Sequence, residues 1–153
     1  MIEQYDIQQV CRNKPNVQLH SDGMKMNKQF TFTGRIHSVK CAIRGIKIML
    51  ESQHNAWIHA VASFIVLCTG GFLCLSHIQW CFLVLAIMAV WTAEALNTAL
   101  ELLADVASPE FHPLVEKAKD VAAGAVFISA MGSVIIGLLV LGPGLLKLAG
   151  IVF

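Results

Sequence analysis

The sequence has little charge. Only 14% of its 153 residues are Asp, Glu, Lys or Arg, whereas soluble domains usually carry about 25%. None of these four residue types occurs between Asn55 and Ala93, and a soluble core of this size needs no such run. With 56% hydrophobic residues, the composition predicts an integral membrane protein.

The sequence also has no excess of basic residues. Eleven Lys and Arg stand against ten Asp and Glu, which gives a formal net charge of +1. A protein that holds a polyphosphate such as DNA needs a strong positive field. Nucleic acid is therefore excluded as a partner.

Common nucleotide-binding and catalytic signatures are missing as well. The chain has no G-x-x-x-x-G-K-[ST] loop, no G-x-G-x-x-G and no H-E-x-x-H, so any nucleotide that binds here must be held in an unusual way. The five cysteines are odd in number and form no C-x-x-C pair. We interpret them as buried thiols without a disulfide or metal role.

Residues 1 to 33 are polar and aperiodic, which is typical of a flexible tail. They contain no apolar core of a signal peptide, so we expect the N-terminus to stay in the cytoplasm. Met24 and Met26 precede the periodic region, and we hypothesise that native translation starts at one of them. Residues 34 to 150 are predicted to form a single domain.

The rest of the chain is predicted to be all-α, with one surface helix and three membrane-spanning helices. Over residues 35 to 53, apolar side chains recur every three or four positions opposite a basic face, which indicates an amphipathic helix in the headgroup layer. Three apolar stretches follow, at residues 57 to 75, 81 to 103 and 121 to 146. Each is long enough to cross about 30 Å of hydrocarbon.

The distribution of Lys and Arg predicts the orientation. Residues 76 to 80, between the first two crossings, contain neither residue type. In contrast, the first crossing is preceded by Arg35, Lys40, Arg44 and Lys47, and the second is followed by Lys117 and Lys119. Loops rich in Lys and Arg stay in the cytoplasm. The N-terminus and the second loop are therefore predicted to be cytoplasmic.

The second crossing carries polar residues that membrane insertion does not require. Glu94, Asn97, Glu101 and Asp105 project within an arc of about 80° on a helix that turns about 100° per residue. Acidic groups on one stripe repel one another unless a cation or a proton shares the site. Carboxylate and amide oxygens suit a hard cation such as Mg²⁺. The alternative is that these polar residues only form contacts between packed helices.

A polar loop follows, on the predicted cytoplasmic side. Pro109 and Pro113 are expected to end one helix and to start the next. Lys119 and Asp120 lie near the start of the third crossing, where a lysine can reach a phosphate and a carboxylate can orient a metal or a nucleotide. The alternative is an ordinary polar helix start.

Three segments match a known pattern: E-x-x-N-x-x-x-E starting at Glu94, P-E-F-H-P starting at Pro109, and A-K-D starting at Ala118. Together they closely resemble the prokaryotic diacylglycerol kinase and undecaprenol kinase family. The resemblance extends back through residues 35 to 45 and 55 to 59, and it covers roughly residues 34 to 145. It implies a small homotrimeric kinase of the bacterial inner membrane, with a surface helix and three spanning helices in each subunit.

The resemblance also implies roles for individual residues. Glu94 would be the catalytic base and would contact the lipid substrate together with Asn97, while Glu101 would bind the magnesium of Mg-ATP. The residues implied in nucleotide binding are Arg35, Cys41, Gln53, Glu101, Glu110, Phe111, His112, Lys119 and Asp120. Mg²⁺ is the implied cofactor, and ATP is the implied co-substrate.

Two of these positions depart from the family pattern. Gln53 stands where many relatives carry a second metal-binding glutamate, so it offers a metal an amide oxygen without charge. Cys41 stands where relatives usually place a nucleotide-contacting tyrosine. Neither change replaces Glu94 or Glu101, so we expect kinase activity to be retained.

The implied reaction is transfer of the γ-phosphoryl group of Mg-ATP to the primary hydroxyl of a membrane lipid, which converts diacylglycerol into phosphatidic acid. The alternative acceptor is undecaprenol, which would yield undecaprenyl phosphate. Such a transfer needs positioning and charge stabilisation more than covalent chemistry. Two further alternatives are a small ion or proton transporter, which would use the buried acids as a relay, and a non-catalytic membrane module.

Overall fold

The structure, a computed structural model, describes residues 32–151. The tail predicted for residues 1 to 33 lies outside this range except for Phe32 and Thr33, and the alternative starts Met24 and Met26 lie outside it as well. The described residues contain no strand, and the predicted all-α class is confirmed. They form four α-helices, namely α1 (Phe32–Ser52), α2 (His54–Phe72), α3 (His77–Ala107) and α4 (Pro113–Leu148).

Three of these helices are long and apolar enough to cross a membrane: α2 with 19 residues, α3 with 31 and α4 with 36. The three predicted crossings are confirmed, but two helices extend well past the stretches that predicted them. α3 runs from residue 77 to 107, where 81 to 103 was predicted, and α4 starts at 113 instead of 121. An apolar run marks only the part that contacts hydrocarbon, whereas backbone hydrogen bonds carry a helix onward into the polar layer.

Gln53 is the single residue between α1 and α2. Its backbone N–H still donates to the carbonyl of Met49 at 3.0 Å, but its φ of −114° and ψ of 117° are extended, so helical geometry is interrupted here. The described residues fall into two compact units, and the division lies after Gly45, within α1. Gln53 and all residues after it belong to the second unit.

A short turn joins α2 to α3. The Ser76 hydroxyl accepts a hydrogen bond from the backbone N–H of Gln79 at 3.4 Å, and Gln79 Oε1 accepts one from the N–H of Ser76 at 2.9 Å. This reciprocal capping box is encoded by the S-x-x-Q spacing, and it explains why α3 already begins at His77. Gly70 lets the end of α2 approach this turn, because a Cβ there would lie 3.1 Å from the ring of Trp80.

Residues 108–112 form the second loop, between α3 and α4. The ring Nδ1 of His112 accepts a hydrogen bond from the N–H of Leu114 at 3.3 Å and so caps α4. Pro113 occupies the first turn of α4, where a missing backbone N–H does no harm. The prediction that Pro113 starts this helix is confirmed.

Within the second unit, α3 packs chiefly against α4 and also contacts α2. Trp91 Nε1 donates to Ser63 Oγ on α2 at 3.1 Å, and Ser133 Oγ on α4 donates to the carbonyl of Ala86 at 3.0 Å. The buried residues of α3 follow one stripe with the helical period. They are Leu83, Ala86, Val90, Glu94, Asn97, Thr98 and Ala104.

Most large apolar side chains of the second unit are exposed on the surface of this chain, as expected for helices surrounded by lipid. The described cysteines follow the same trend, because Cys68, Cys74 and Cys81 are exposed. The expectation that the cysteines are buried is therefore wrong for these three. A thiol behaves as a small hydrophobic group, so lipid around α2 and α3 removes the need to cover Cys68 and Cys81 with protein. Cys74 lies in the turn between these helices.

Candidate active site

A cavity of about 250 Å³ lies between α2, α3 and α4. The side chains that α4 contributes to it are all apolar. Its polar lining comes from α2 and α3 and consists of Asn55, His59, Glu94, Asn97 and Glu101. The fold therefore brings Glu94, Asn97 and Glu101, three of the predicted site residues, to one place.

Glu94 is the most deeply buried member of this set, with 1% of its surface exposed. Its backbone carbonyl accepts a hydrogen bond from the hydroxyl of Thr98 at 2.9 Å. Its two carboxylate oxygens have no hydrogen-bond partner among the residues that the structure describes. Burying an ionised carboxylate without partners costs several kcal/mol, so this side chain is a candidate for chemistry rather than for packing.

Glu101 lies two turns after Glu94 on the same helix and is half-buried. Asn97 Nδ2 donates a hydrogen bond to Glu101 Oε1 at 2.9 Å, and Gln53 Nε2 donates one to Glu101 Oε2. Gln53 reaches this carboxylate although it lies 48 residues earlier in the chain. The structure thus places Gln53 and Glu101, the two predicted metal ligands, in direct contact.

The oxygen atoms of this cluster suit a hard divalent cation. Each carboxylate oxygen of Glu101 has accepted one hydrogen bond and retains a second lone pair, and Asn97 Oδ1 is buried without a partner among the described residues. Within residues 32–151, no three His, Cys, Asp or Glu side chains form a group that could hold a metal. Mg²⁺ does not need such a group, since it commonly binds one or two carboxylates together with water and substrate phosphates.

The predicted nucleotide-binding residues of the second loop lie at the surface, outside the cavity. Glu110, Phe111 and His112 are exposed, and 77% of Phe111 is accessible. The hydroxyl of Ser108 donates to the carbonyl of Glu110 at 2.9 Å, which orders the loop backbone. The structure does not bring these side chains into contact with Glu94.

Lys119 and Asp120 lie in the second turn of α4. Asp120 is exposed, while Lys119 Nζ forms an ion pair of 2.5 Å with Asp105 at the end of α3. The Asp105 side chain is 66% exposed and does not line the cavity. The polar stripe predicted on α3 is therefore split. Glu94, Asn97 and Glu101 line the cavity, whereas Asp105 lies at the surface.

The remaining predicted residues, Arg35 and Cys41, belong to the first unit. Arg35 is exposed, and Cys41 is half-buried with its Sγ 3.7 Å from Nδ1 of His37, one turn earlier in α1. Their part in nucleotide binding stays a prediction.

Two polar residues of the cavity, Asn55 and His59, are not among the predicted site residues. His59 Nε2 lies 4.0 Å from Glu94 Oε2, and only 17% of its side chain is exposed. Asn55 and His59 are four positions apart on α2, so they share one face of the helix. That spacing, at the start of a stretch without charged residues, is the signal that could have identified them.

The chain has clear relatives among known proteins. A sequence profile described as prokaryotic diacylglycerol kinase matches residues 40–141. The undecaprenol kinase of Bacillus subtilis is 42% identical over 102 residues, which cover 67% of this chain and 83% of that protein. The diacylglycerol kinase of Synechocystis is 37% identical over 112 residues, which cover 72% of this chain and 64% of that protein.

The chain belongs to the prokaryotic diacylglycerol kinase family. As a member of this family it is a lipid kinase, and it phosphorylates an alcohol group in a nucleotide-dependent reaction. Family membership therefore favours a lipid kinase over the ion transporter and the non-catalytic module. The matched residues 40–141 include the whole lining of the cavity, whereas Arg35 precedes them.

Proposed function

We propose that the cavity between α2, α3 and α4 is the active site of an ATP-dependent kinase for a membrane lipid, with Glu94 as the catalytic base. The observation that supports this proposal is the buried Glu94 carboxylate, whose oxygens have no hydrogen-bond partner among the described residues. A buried carboxylate that is reachable from a cavity meets the requirements of a general base.

In the proposed reaction, the lipid hydroxyl oxygen forms a bond to the γ-phosphorus of ATP. The bond between that phosphorus and the bridging oxygen breaks, ADP leaves with the electron pair, and the hydroxyl proton moves to Glu94. Asn97, one turn further along α3, would hold the lipid hydroxyl through its buried side chain. Because phosphoryl transfer depends mainly on positioning and charge stabilisation, these few side chains suffice.

Glu101 and Gln53 are the residues that would hold the Mg²⁺ of Mg-ATP. Bound Mg²⁺ would offset the charge of the phosphate oxygens. Lys119 would contact the phosphates after leaving Asp105, which is feasible because a solvent-exposed ion pair is weak. The other residues proposed to contact the nucleotide are Arg35, Cys41, Glu110, Phe111, His112 and Asp120.

Undecaprenol and diacylglycerol are the two candidate acceptors. The Bacillus subtilis relative named undecaprenol kinase matches with higher identity and over more of its own length than the Synechocystis relative named diacylglycerol kinase. This difference favours undecaprenol as the better acceptor. Diacylglycerol is the second candidate, because the family profile is described as prokaryotic diacylglycerol kinase.

The test is a phosphorylation assay with the purified full chain in detergent micelles that contain Mg-ATP and one lipid at a time. Undecaprenol is expected to give the higher kcat/KM, with diacylglycerol as the weaker substrate. Triacylglycerol has no free hydroxyl and is the negative control. Absence of any phosphorylated lipid from both alcohols would overturn the proposal, and a higher kcat/KM for diacylglycerol would reverse the preference.

The kinase site is proposed to face the cytoplasm of a bacterium, with the chain in the inner membrane. Lys119, near the start of α4, pairs with Asp105 at the same end of α3 that carries Glu101, whereas the turn between α2 and α3 has neither Lys nor Arg. We further propose that α1 is amphipathic and lies in the headgroup layer. Residues 34 to 150 are proposed to form one kinase domain, and three copies of the chain are proposed to assemble.

Cys74 offers a test of this orientation because it is exposed in the turn between α2 and α3. A membrane-impermeant maleimide added to intact spheroplasts should label wild-type protein, and Cys74→Ser should lose that label. Labelling of Cys74 only after lysis would show the opposite orientation.

Native mass spectrometry from detergent tests the assembly, and a monomer or dimer would contradict the proposed trimer.

A further inference from the structure

His59 is a polar residue of the cavity to which the proposed reaction assigns no task. Its side chain extends from α2, is largely buried, and places Nε2 4.0 Å from Glu94 Oε2. A hydrogen bond between such atoms is about 2.7–3.2 Å long, so an approach of about 1 Å would complete one. The tautomer that carries the proton on Nε2 would then donate to the carboxylate.

The lining of the cavity shows why His59 is suited to hold Glu94. The other ionisable lining residue is Glu101, which repels a second carboxylate, and every side chain contributed by α4 is apolar. Among the residues that line the cavity, His59 is therefore the one basic side chain that faces Glu94. The amides of Asn97 and Gln53 already donate to Glu101.

His59 also lies where two cavities meet. A second, almost entirely apolar cavity of about 470 Å³ extends along α2, α3 and α4, and it shares Ile58, His59 and Ala130 with the acidic cavity. A lipid alcohol has an apolar tail and a polar hydroxyl, and this boundary separates the same two environments. His59 is thus placed beside the base at the point where a hydroxyl would enter the acidic cavity.

We propose that His59 is a positioning residue for Glu94. In this proposal, its Nε2–H donates to Glu94 Oε2 and fixes the carboxylate, which leaves Glu94 Oε1 to accept the hydroxyl proton. The inference rests on the proposed role of Glu94 as the base. Loss of the donor would leave Glu94 in place but poorly oriented, so it would lower kcat and leave the KM for ATP nearly unchanged.

The experiment compares two replacements of similar size in the purified full chain. His59→Phe retains a ring but no N–H, whereas His59→Gln retains an N–H donor near the position of Nε2. We expect His59→Phe to lower kcat by about 10-fold to 100-fold, as for a misplaced catalytic group, with little change in the KM for ATP. His59→Gln is expected to stay within about threefold of the wild-type kcat.

Thr69→Ala is the matched control, because Thr69 lies on α2 outside both cavities and its hydroxyl donates within the helix to the carbonyl of Ile65 at 2.8 Å. It removes a polar group from the same helix without touching Glu94, and it should keep the wild-type kcat. If His59→Phe does not fold, His59→Ala with and without added imidazole replaces it, and imidazole should restore rate. A wild-type kcat in His59→Phe, an equal loss in His59→Gln and His59→Phe, or the absence of imidazole rescue would each overturn the proposal.

Glu94→Gln separates this inference from the proposed function. If Glu94→Gln keeps the full rate, the assignment of Glu94 as base is wrong, whatever the His59 variants do. If Glu94→Gln is inactive while His59→Phe is fully active, the base assignment stands and the positioning role of His59 is wrong. Combining His59→Phe with Glu94→Asp should give less than the product of the two losses, since both act through one carboxylate.

Discussion

The buried stripe of α3 has two halves that face the same neighbours and differ in chemistry. In the first half, Leu83, Ala86 and Val90 pack against α2 and α4. In the second half, the same face presents Glu94 and Asn97. The helical period alone decides that both sets are buried, so burial does not distinguish them.

The two halves differ in what burial does for stability. An apolar side chain gains from leaving water and from close packing, so Leu83 stabilises the fold directly. A buried carboxylate without hydrogen-bond partners opposes folding. In the proposed function the second half serves the reaction, and the first half supplies the packing that offsets its cost.

Glu94→Gln should produce the largest effect, and that effect should be a loss of activity without a loss of stability. We expect kcat to fall by about 10²-fold to 10⁴-fold, the usual contribution of a general base. The melting temperature should be unchanged or higher, because a neutral amide is less costly to bury than a carboxylate. Lipid phosphorylation and thermal unfolding in detergent measure the two quantities, and a lowered melting temperature with full activity would contradict the comparison.

Leu83→Ala should produce the opposite pattern. The side chain is 1% exposed, and its truncation should lower the free energy of unfolding by at least about 2 kcal/mol while the kcat of folded protein stays near wild type. The matched control is Leu85→Ala, two residues along the same helix and 62% exposed, which should change stability by less than about 0.5 kcal/mol. Equal destabilisation by the two variants would refute the packing role of the apolar half.

Gln53→Glu tests whether Mg²⁺ binds beside the polar half, between residue 53 and Glu101. It places a second carboxylate against Glu101, so like-charge repulsion should lower the melting temperature in the absence of Mg²⁺. Saturating Mg²⁺ should raise it again, by about 3 °C more than in the wild type. Glu101→Gln is the control that should respond least to Mg²⁺, and a larger Mg²⁺ response in this control than in Gln53→Glu would contradict the proposed metal ligands.

The exposed end of the same stripe should give the smallest effect. Asp105→Asn removes the partner of Lys119, but the pair is solvent-exposed and contributes little, so the melting temperature should shift by less than about 1 °C. Lys119→Ala should raise the KM for ATP by about threefold, since one phosphate contact is lost. An unchanged KM in Lys119→Ala would end the proposed phosphate role of this lysine.

Much of the candidate site could be predicted from local sequence. The spacing of Glu94, Asn97 and Glu101 places them on one helix face, and the structure brings these three into one cavity. Asp105 shares their spacing but not their burial, because the stripe reaches the surface before the helix ends. The spacing of Asn55 and His59 marks a shared polar face of α2, but the approach of His59 to Glu94 could not be predicted in this way, since Glu94 lies 35 positions later in the sequence.

The sequence by itself determined the class of the protein, the number of apolar helices and the face on which the acids lie. These properties follow from composition and from the helical period, which are local along the chain. Only the tertiary structure decided that Glu94 is buried at the cavity, that Gln53 contacts Glu101, and that His59 faces Glu94. Each of these facts depends on which helix packs opposite and in what register, and that is a property of long-range contacts.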